Sequence, residues 1–395
     1  MGLRRYVFLS GLCVLILLLS TRNIIIGSVT VREITAAINE LESRSTTILL
    51  QQVQQVKHSL PWCTRNEIRV GSWKPQILDS PPYNPRTVHL MCYPENEYKN
   101  KTTKWTHTYE WQPTAAEDCV FSNWNRDEFC HLMKRATILI IGDSLSFEHY
   151  RSLGHLMGKH ISQLSQHKSK KEQDNIVNYV CQKQTRIVYR RDDLLSNVSQ
   201  AIFEGGNFPQ VIVMNRGAHY QNDTMLMTGM KKVVEELQNW KLQCETFNIT
   251  CHLLWRTSVP GHPNCEELDF RGPVNDLHAM EAMISDRSNY NNRTIKYQWY
   301  NYQQQNEMVV DMLTTNPSFL QQDKGTSPPF FLEIIDAYYL NILRPDEHRT
   351  GDVFPGKWQV FFLVYILLWL QVIVSHFPGF VVSIWFRKFA PQCAS

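Results

Sequence analysis

Over the middle of the chain, short apolar runs alternate with stretches of amphipathic character. "TILII" (137–141), "TRIVYR" (185–190), "QVIVMN" (210–215), "CHLLWR" (251–256), "IKYQWY" (295–300) and "FFLEIID" (330–336) read as strands. A helix pattern runs through Leu145, His149, Leu153 and Leu156. "LMTGMKKVVEELQNWK" (226–241), "VNDLHAMEAMI" (274–284) and "QQQNEMVVDML" (303–313) carry apolar residues at helical spacing. Strands alternating with helices predict an α/β domain: a mostly parallel sheet covered on both faces, in three layers. In such sheets ligands bind beyond the carboxyl ends of the strands. Ser144, Asn215 and Arg256 all fall at such ends.

The flanks follow other patterns. Arg4 and Arg5 precede an uncharged run from Tyr6 to Ser20, which reads as a signal peptide or as an uncleaved anchor extended by "NIIIGSV". No small-x-small cleavage site follows the run, so the expectation is an anchor over residues 1–29 with its positive end in the cytoplasm. Either reading sends the remainder into the secretory pathway. Ile34, Ile38, Leu41, Leu49, Val53 and Val56 give residues 30–60 helical spacing without proline or glycine. That segment reads as a helical stem, self-associating or a single amphipathic helix on the domain.

Pro61 and Trp62 mark a change of character. Residues 61–135 are rich in Cys, Trp, Tyr and Pro and read as a loop-dominated lobe; residues 136–352 form the α/β core, and the two make one luminal domain, 61–352. Residues 353–395 turn strongly apolar. Three readings stand for that tail: a second membrane span over 358–375, a buried terminal element, or a junction produced by a gene-model error.

Charge and composition narrow the function. Forty basic against 37 acidic residues leave a net charge of +3, which provides no electrostatic footprint for nucleic acid. Asn100, Asn197, Asn222, Asn248 and Asn292 each begin an Asn-x-Ser/Thr sequon. Of ten cysteines, Cys63, Cys92, Cys119, Cys130, Cys181, Cys244, Cys251 and Cys265 form an even central set with no Cys-x-x-Cys pair. Disulfides explain them better than zinc, and no metal site is expected. Their spacing does not fix the pairing.

The chemistry gathers in "ILIIGDSLSFEHYRSL" (138–153). A serine just past a strand and opening a helix exposes its hydroxyl where free backbone N–H groups and the helix dipole stabilise an oxyanion. It acts as a nucleophile only with a base to take its proton. The alternative is that Asp143 or Ser144 merely caps the helix.

Gly-Asp-Ser after a first strand resembles the opening block of the SGNH (GDSL-type) hydrolase fold. The surroundings resemble the trichome birefringence-like, PC-esterase family of glycan O-acetyltransferases. "GSW" (71–73), Cys92, "YEWQPTAAEDC" (109–119), "FC" (129–130), "VIVMNRGAHY" (211–220), "LLWRTSVPGHPNC" (253–265) and "IIDAYYLNILRPDEH" (334–348) fall in that family's order. The resemblance implies Ser144 as acyl-accepting nucleophile with its own N–H as one oxyanion donor, and Asn215 or a backbone N–H of "NRGAH" as a further donor. It implies Arg256 and His262 as cleft residues that contact substrate, His262 equally well as a structural loop residue. His219 either lines the site or packs beneath it, and His149 reads as a helix-face residue.

The sequence departs from the family at its end. The family's separate Asp-x-x-His block should begin at Asp352, but position 355 is Pro. Either Asp346 and His348 stand in as orienter and base, or the chain lacks the base and binds glycan without catalysis. The activity the resemblance implies is acyl transfer, acetyl foremost, to a glycan hydroxyl by a Golgi type II membrane protein. A secreted form and a carbohydrate esterase are the alternatives. No cofactor is implied beyond an acyl donor such as acetyl-CoA or an acetylated carrier.

Overall fold

Thr137–Gly142 (β3) is the hub of a six-stranded sheet in the order β4–β5–β3–β6–β7–β8. Its partners are β4 (Asn175–Val180), β5 (Thr185–Arg191), β6 (Val211–Met214), β7 (Cys251–Arg256) and β8 (Phe330–Ile335). These come from a computed structural model that describes residues 63–78, 105–115, 117–119, 126–157, 175–204, 208–216, 219–263, 273–320 and 330–345. The expected anchor, stem and apolar tail lie outside the described residues, as do Asn100, Cys92, Cys265, Asp346 and His348.

From β5 to β8 every pairing is parallel, and only the edge strand β4 runs antiparallel, to β5. Successive residues of a strand point to opposite faces, so each central strand feeds two cores. Ile138, Ile140, Val211, Val213 and Leu254 enter one; Leu139, Ile141, Ile212, Met214, Leu253 and Trp255 enter the other. The first core is closed by α3 (Ser144–Leu156), through Leu145, Tyr150 and Leu153, and by α6 (Leu277–Ser285), through Met280 and Ile284. The second is closed by α4 (Val198–Phe203), α5 (Asp223–Thr246) and α8 (Tyr302–Thr314). The result is the expected three-layer α/β arrangement.

Two sequence expectations are corrected. "IKYQWY" is not a strand: α7 (Asn292–Lys296) and a 3₁₀ turn, Trp299–Asn301, occupy that stretch. Asn291 Oδ1 accepts the Thr294 N–H at 3.0 Å, and this local cap outweighs the strand preference of Tyr and Trp. The lobe, in turn, is not all loop. β1 (Gly71–Leu78) and β2 (Trp105–Pro113) pair antiparallel with Trp73 opposite Trp111.

Contacts of several kinds fasten the lobe to the β8 end of the core. Trp73 Nε1 donates to the Leu340 carbonyl at 3.0 Å, ahead of the turn that ends α9 (Ala337–Asn341). The fully buried Arg344 guanidinium lies 4.9 Å from the ring centroids of both Trp73 and Tyr109. Asp336, 3% exposed, accepts from both Arg65 and Arg69 of α1 (Arg65–Arg69). Disulfides join Cys63 to Cys119 within the lobe, Cys130 of α2 (Arg126–Leu132) to Cys181 between β4 and β5, and Cys244 to Cys251. Among the described residues no helix is long and apolar enough to cross a membrane.

Candidate active site

The strand order places a crevice before any side chain is considered. From β3 the chain builds to one side through β4 and β5, then returns to lay β6 on the other. The carboxyl ends of β3 and β6 flank that reversal, which is where α/β sheets of this order bind ligands. The two strands run in register, Ile141 opposite Met214, so Gly142–Ser144 and Asn215–Arg216 leave the sheet side by side.

Gly142 makes the turn into α3. Its φ of +151° is open to glycine, and a Cβ there would lie 2.3 Å from Ser146 Oγ and 2.8 Å from Asn215 Oδ1. The space a side chain would fill is taken by a hydrogen bond: Ser146 Oγ donates to Asn215 Oδ1 at 2.7 Å. That bond fixes the rotation of the Asn215 amide, a fully buried group. From the opposite side, Tyr189 donates its hydroxyl to the carbonyls of Gly142 and Asp143, at 3.2 and 2.9 Å.

Asp143 caps the helix. Its Oδ1 accepts the Leu145 N–H at 3.0 Å and its carbonyl accepts from Phe147 N. Because the aspartate caps, Ser144 is not needed for it. Ser144 is half-buried at the first helical position, and among the described residues no hydrogen bond holds its hydroxyl. The serine therefore stands at the positive end of the helix dipole.

Asp143 also belongs to a small cluster of titratable groups. His219, 30% exposed on the loop after β6, brings Nε2 to 3.6 Å from Asp143 Oδ2 and 3.8 Å from Asp193 Oδ2. Asp193, beyond the end of β5, is gripped by Arg191 through Nε at 2.9 Å and Nη2 at 3.1 Å. Behind them Arg216 is 1% exposed, its guanidinium 4.4 Å from the centre of the Tyr302 ring and 5.9 Å from that of Tyr220. Burial pulls the Arg216 pKa below the usual arginine value, while Tyr302, Tyr220 and Asp143 oppose that pull.

The other residues singled out by sequence sit deeper. Arg256, ending β7, is 2% exposed. Its neighbour His149 is also 2% exposed; burial first, and the charge of Arg256 second, hold its pKa well below the ordinary imidazole value. His149 is thus a neutral, interior residue. His262, 5% exposed, has Nε2 2.8 Å from the Ile342 carbonyl. A carbonyl only accepts, so Nε2 carries the proton, and this histidine ties the loop after β7 to the turn after α9. The register of β3 and β6 sets the strand ends that carry Ser144 and Asn215 side by side, Arg256 ends the next strand with His149 near it, and His262 is bonded elsewhere.

Sequence reasoning passed over Ser146, Asp193 and Arg216. Asp193 had a usable signal, since it stands beyond the end of a strand already read as parallel. Arg216 had one too, being adjacent to Asn215. Among the described residues no group of three or more His, Cys, Asp or Glu is placed to hold a metal ion. No family model matches the chain, and no curated protein matches it at a significant level of similarity. Sheet order and the residues at its carboxyl edge carry the functional reading.

Proposed function

We propose that the protein transfers an acyl group, acetyl foremost, to a glycan hydroxyl by double displacement through Ser144. The observation that carries this reading is the position of Ser144, relieved of capping by Asp143, at the switch point of the parallel sheet. The donor, such as acetyl-CoA or an acetylated carrier, acylates the serine. The N–H of Ser144 and the amide of Asn215 stabilise the oxyanion that forms when Oγ adds to the carbonyl. An acceptor hydroxyl then takes the acyl group from the serine ester. The resemblance to the PC-esterase family supports the same chemistry and the glycan as acceptor. The lengthy apolar run near the N-terminus, the sequons and the disulfides support a luminal Golgi setting with the membrane as a neighbour.

The full chain incubated with p-nitrophenyl acetate should accumulate acetyl on Ser144, seen as a mass increase on the peptide that contains it. Ser144→Ala should abolish it. Adding xylan, pectin or a mucin-type glycan should move the label to the sugar, and transfer to water alone would make the protein an esterase. Absence of any Ser144-dependent label would overturn the reading and leave a glycan-binding role.

A further inference from the structure

A nucleophilic serine needs an imidazole, and the described residues offer one accessible imidazole at this edge of the sheet. His149 and His262 are 2% and 5% exposed, the first held neutral in the interior and the second bonded to the Ile342 carbonyl. His219 is 30% exposed and stands on the loop that follows β6, the strand paired with β3. Its Nε2 faces Asp143 Oδ2 at 3.6 Å and Asp193 Oδ2 at 3.8 Å. Asp143 is the residue directly before Ser144, so the carboxylate that faces the imidazole is carried by the serine's chain neighbour.

Resting on the acyl-transfer reading, we propose that His219 is the general base for Ser144, oriented by Asp143 and Asp193. In this arrangement a proton on Nε2 points toward the two carboxylates, 3.6 and 3.8 Å away, and the lone pair that takes the serine proton is on Nδ1. The bidentate grip of Arg191 holds Asp193 in place, and the edge of the His219 ring meets Tyr297 at 5.8 Å and 74°. Asp143 has a second duty as helix cap, so its carboxylate is fixed by the same fold feature that presents the serine.

The proton inventory closes. Nδ1 takes the Ser144 proton as Oγ bonds to the acyl carbon and the carbonyl π pair moves to oxygen. When the carbonyl re-forms, the bond to the donor's leaving group breaks, and the imidazolium returns that proton to the leaving group. The acceptor hydroxyl then loses its proton to Nδ1 while attacking the ester, and Ser144 leaves with a proton from the imidazolium. Asp143 and Asp193 face the imidazolium and stabilise it.

The test is the rate at which a fluorophosphonate probe labels the full chain across pH, with Ser144→Ala, His219→Gln, His219→Ala, Asp193→Asn and His348→Gln alongside. The groups that face His219 and shape its profile are Asp143, Asp193 with its partner Arg191, Tyr297, and Arg216 on its own loop. His219→Gln should slow labelling at least about 100-fold and remove the single-proton rise of rate with pH. Imidazole added to His219→Ala should restore labelling, which a merely structural histidine would not show. Asp193→Asn, a change in a positioning residue, should cost about 3- to 10-fold and move that same rise. If His219→Gln labels at the unaltered rate, or if the loss falls on His348→Gln alone, the assignment of the base is overturned and the serine reading stands. If the unaltered chain is not labelled, or Ser144→Ala still is, both fall.

Discussion

At Gly142 the constraint on a single position is steric and conformational together. A methyl group would sit 2.3 Å from Ser146 Oγ on a backbone at φ +151°. Gly142→Ala should destabilise the fold by about 2–4 kcal/mol, combining backbone strain with overpacking, read as a lower urea midpoint. His149 supplies a pH dependence. Its folded pKa is depressed, so below the ordinary value of about 6.5 the unfolded chain binds a proton that the native state refuses. Stability from this group is complete above that value and falls by up to about 1.4 kcal/mol per pH unit as pH drops beneath it. His149→Gln should therefore shrink the difference between urea midpoints at pH 7 and pH 5. At this scale the sequence showed Ser144 well, because Gly-Asp-Ser follows an unmistakable strand. It hid Asp193, because "RRDD" reads equally well as a solvated turn, and its partner His219 lies 26 positions away in another loop.

Elements were legible where burial on both faces made the pattern uniform. "TILII", "VIVM" and "CHLLWR" became β3, β6 and β7 because their strands are buried from end to end. The edge strand "NIVNYV" escaped notice: only one of its faces is buried, and Val177 and Tyr179 are 37% and 47% exposed. The β1–β2 pair was obscured by the Cys, Trp and Pro around it, and its pairing joins segments separated by a long connection. Disulfide partners were illegible for the same reason, being set by the fold. They should differ in strength. Closing a separation of 51 residues, Cys130–Cys181 should stabilise by about 4 kcal/mol, against about 2 for Cys244–Cys251 with its separation of 7. Urea unfolding of the two double Cys→Ser variants measures the difference.

For the molecule as a whole, the alternation of strand and helix was enough to give three layers, since that order leaves a parallel sheet few alternatives. How the lobe binds to the core was beyond it. Arg344 against Trp73 and Tyr109, and Asp336 bonded to Arg65 and Arg69, are meetings of residues more than 230 positions apart. Asn197, Asn222, Asn248 and Asn292, the sequon asparagines among the described residues, are all exposed. Expressed through a secretory pathway, the chain should carry N-glycans there, and peptide N-glycosidase should convert those asparagines to aspartate, detectable by mass. Substituting Asn222, whose Oδ1 accepts the Met225 N–H at 2.7 Å to begin α5, with Gln should also cost about 1 kcal/mol in lost capping.

The same strand order sets a timetable for the ribosome. β3 through β7 emerge in sequence and can pair, but β8 follows β7 only after about 70 further residues. At roughly 5–20 residues per second, the apolar edge of "CHLLWR" stays unpaired for some 4–15 s in each nascent chain. A translational pause or a truncation between Arg256 and Phe330 would leave that edge to seek strands from neighbouring molecules. Such a product should aggregate even though Ser144, Asn215, His219 and Arg256 have already been made.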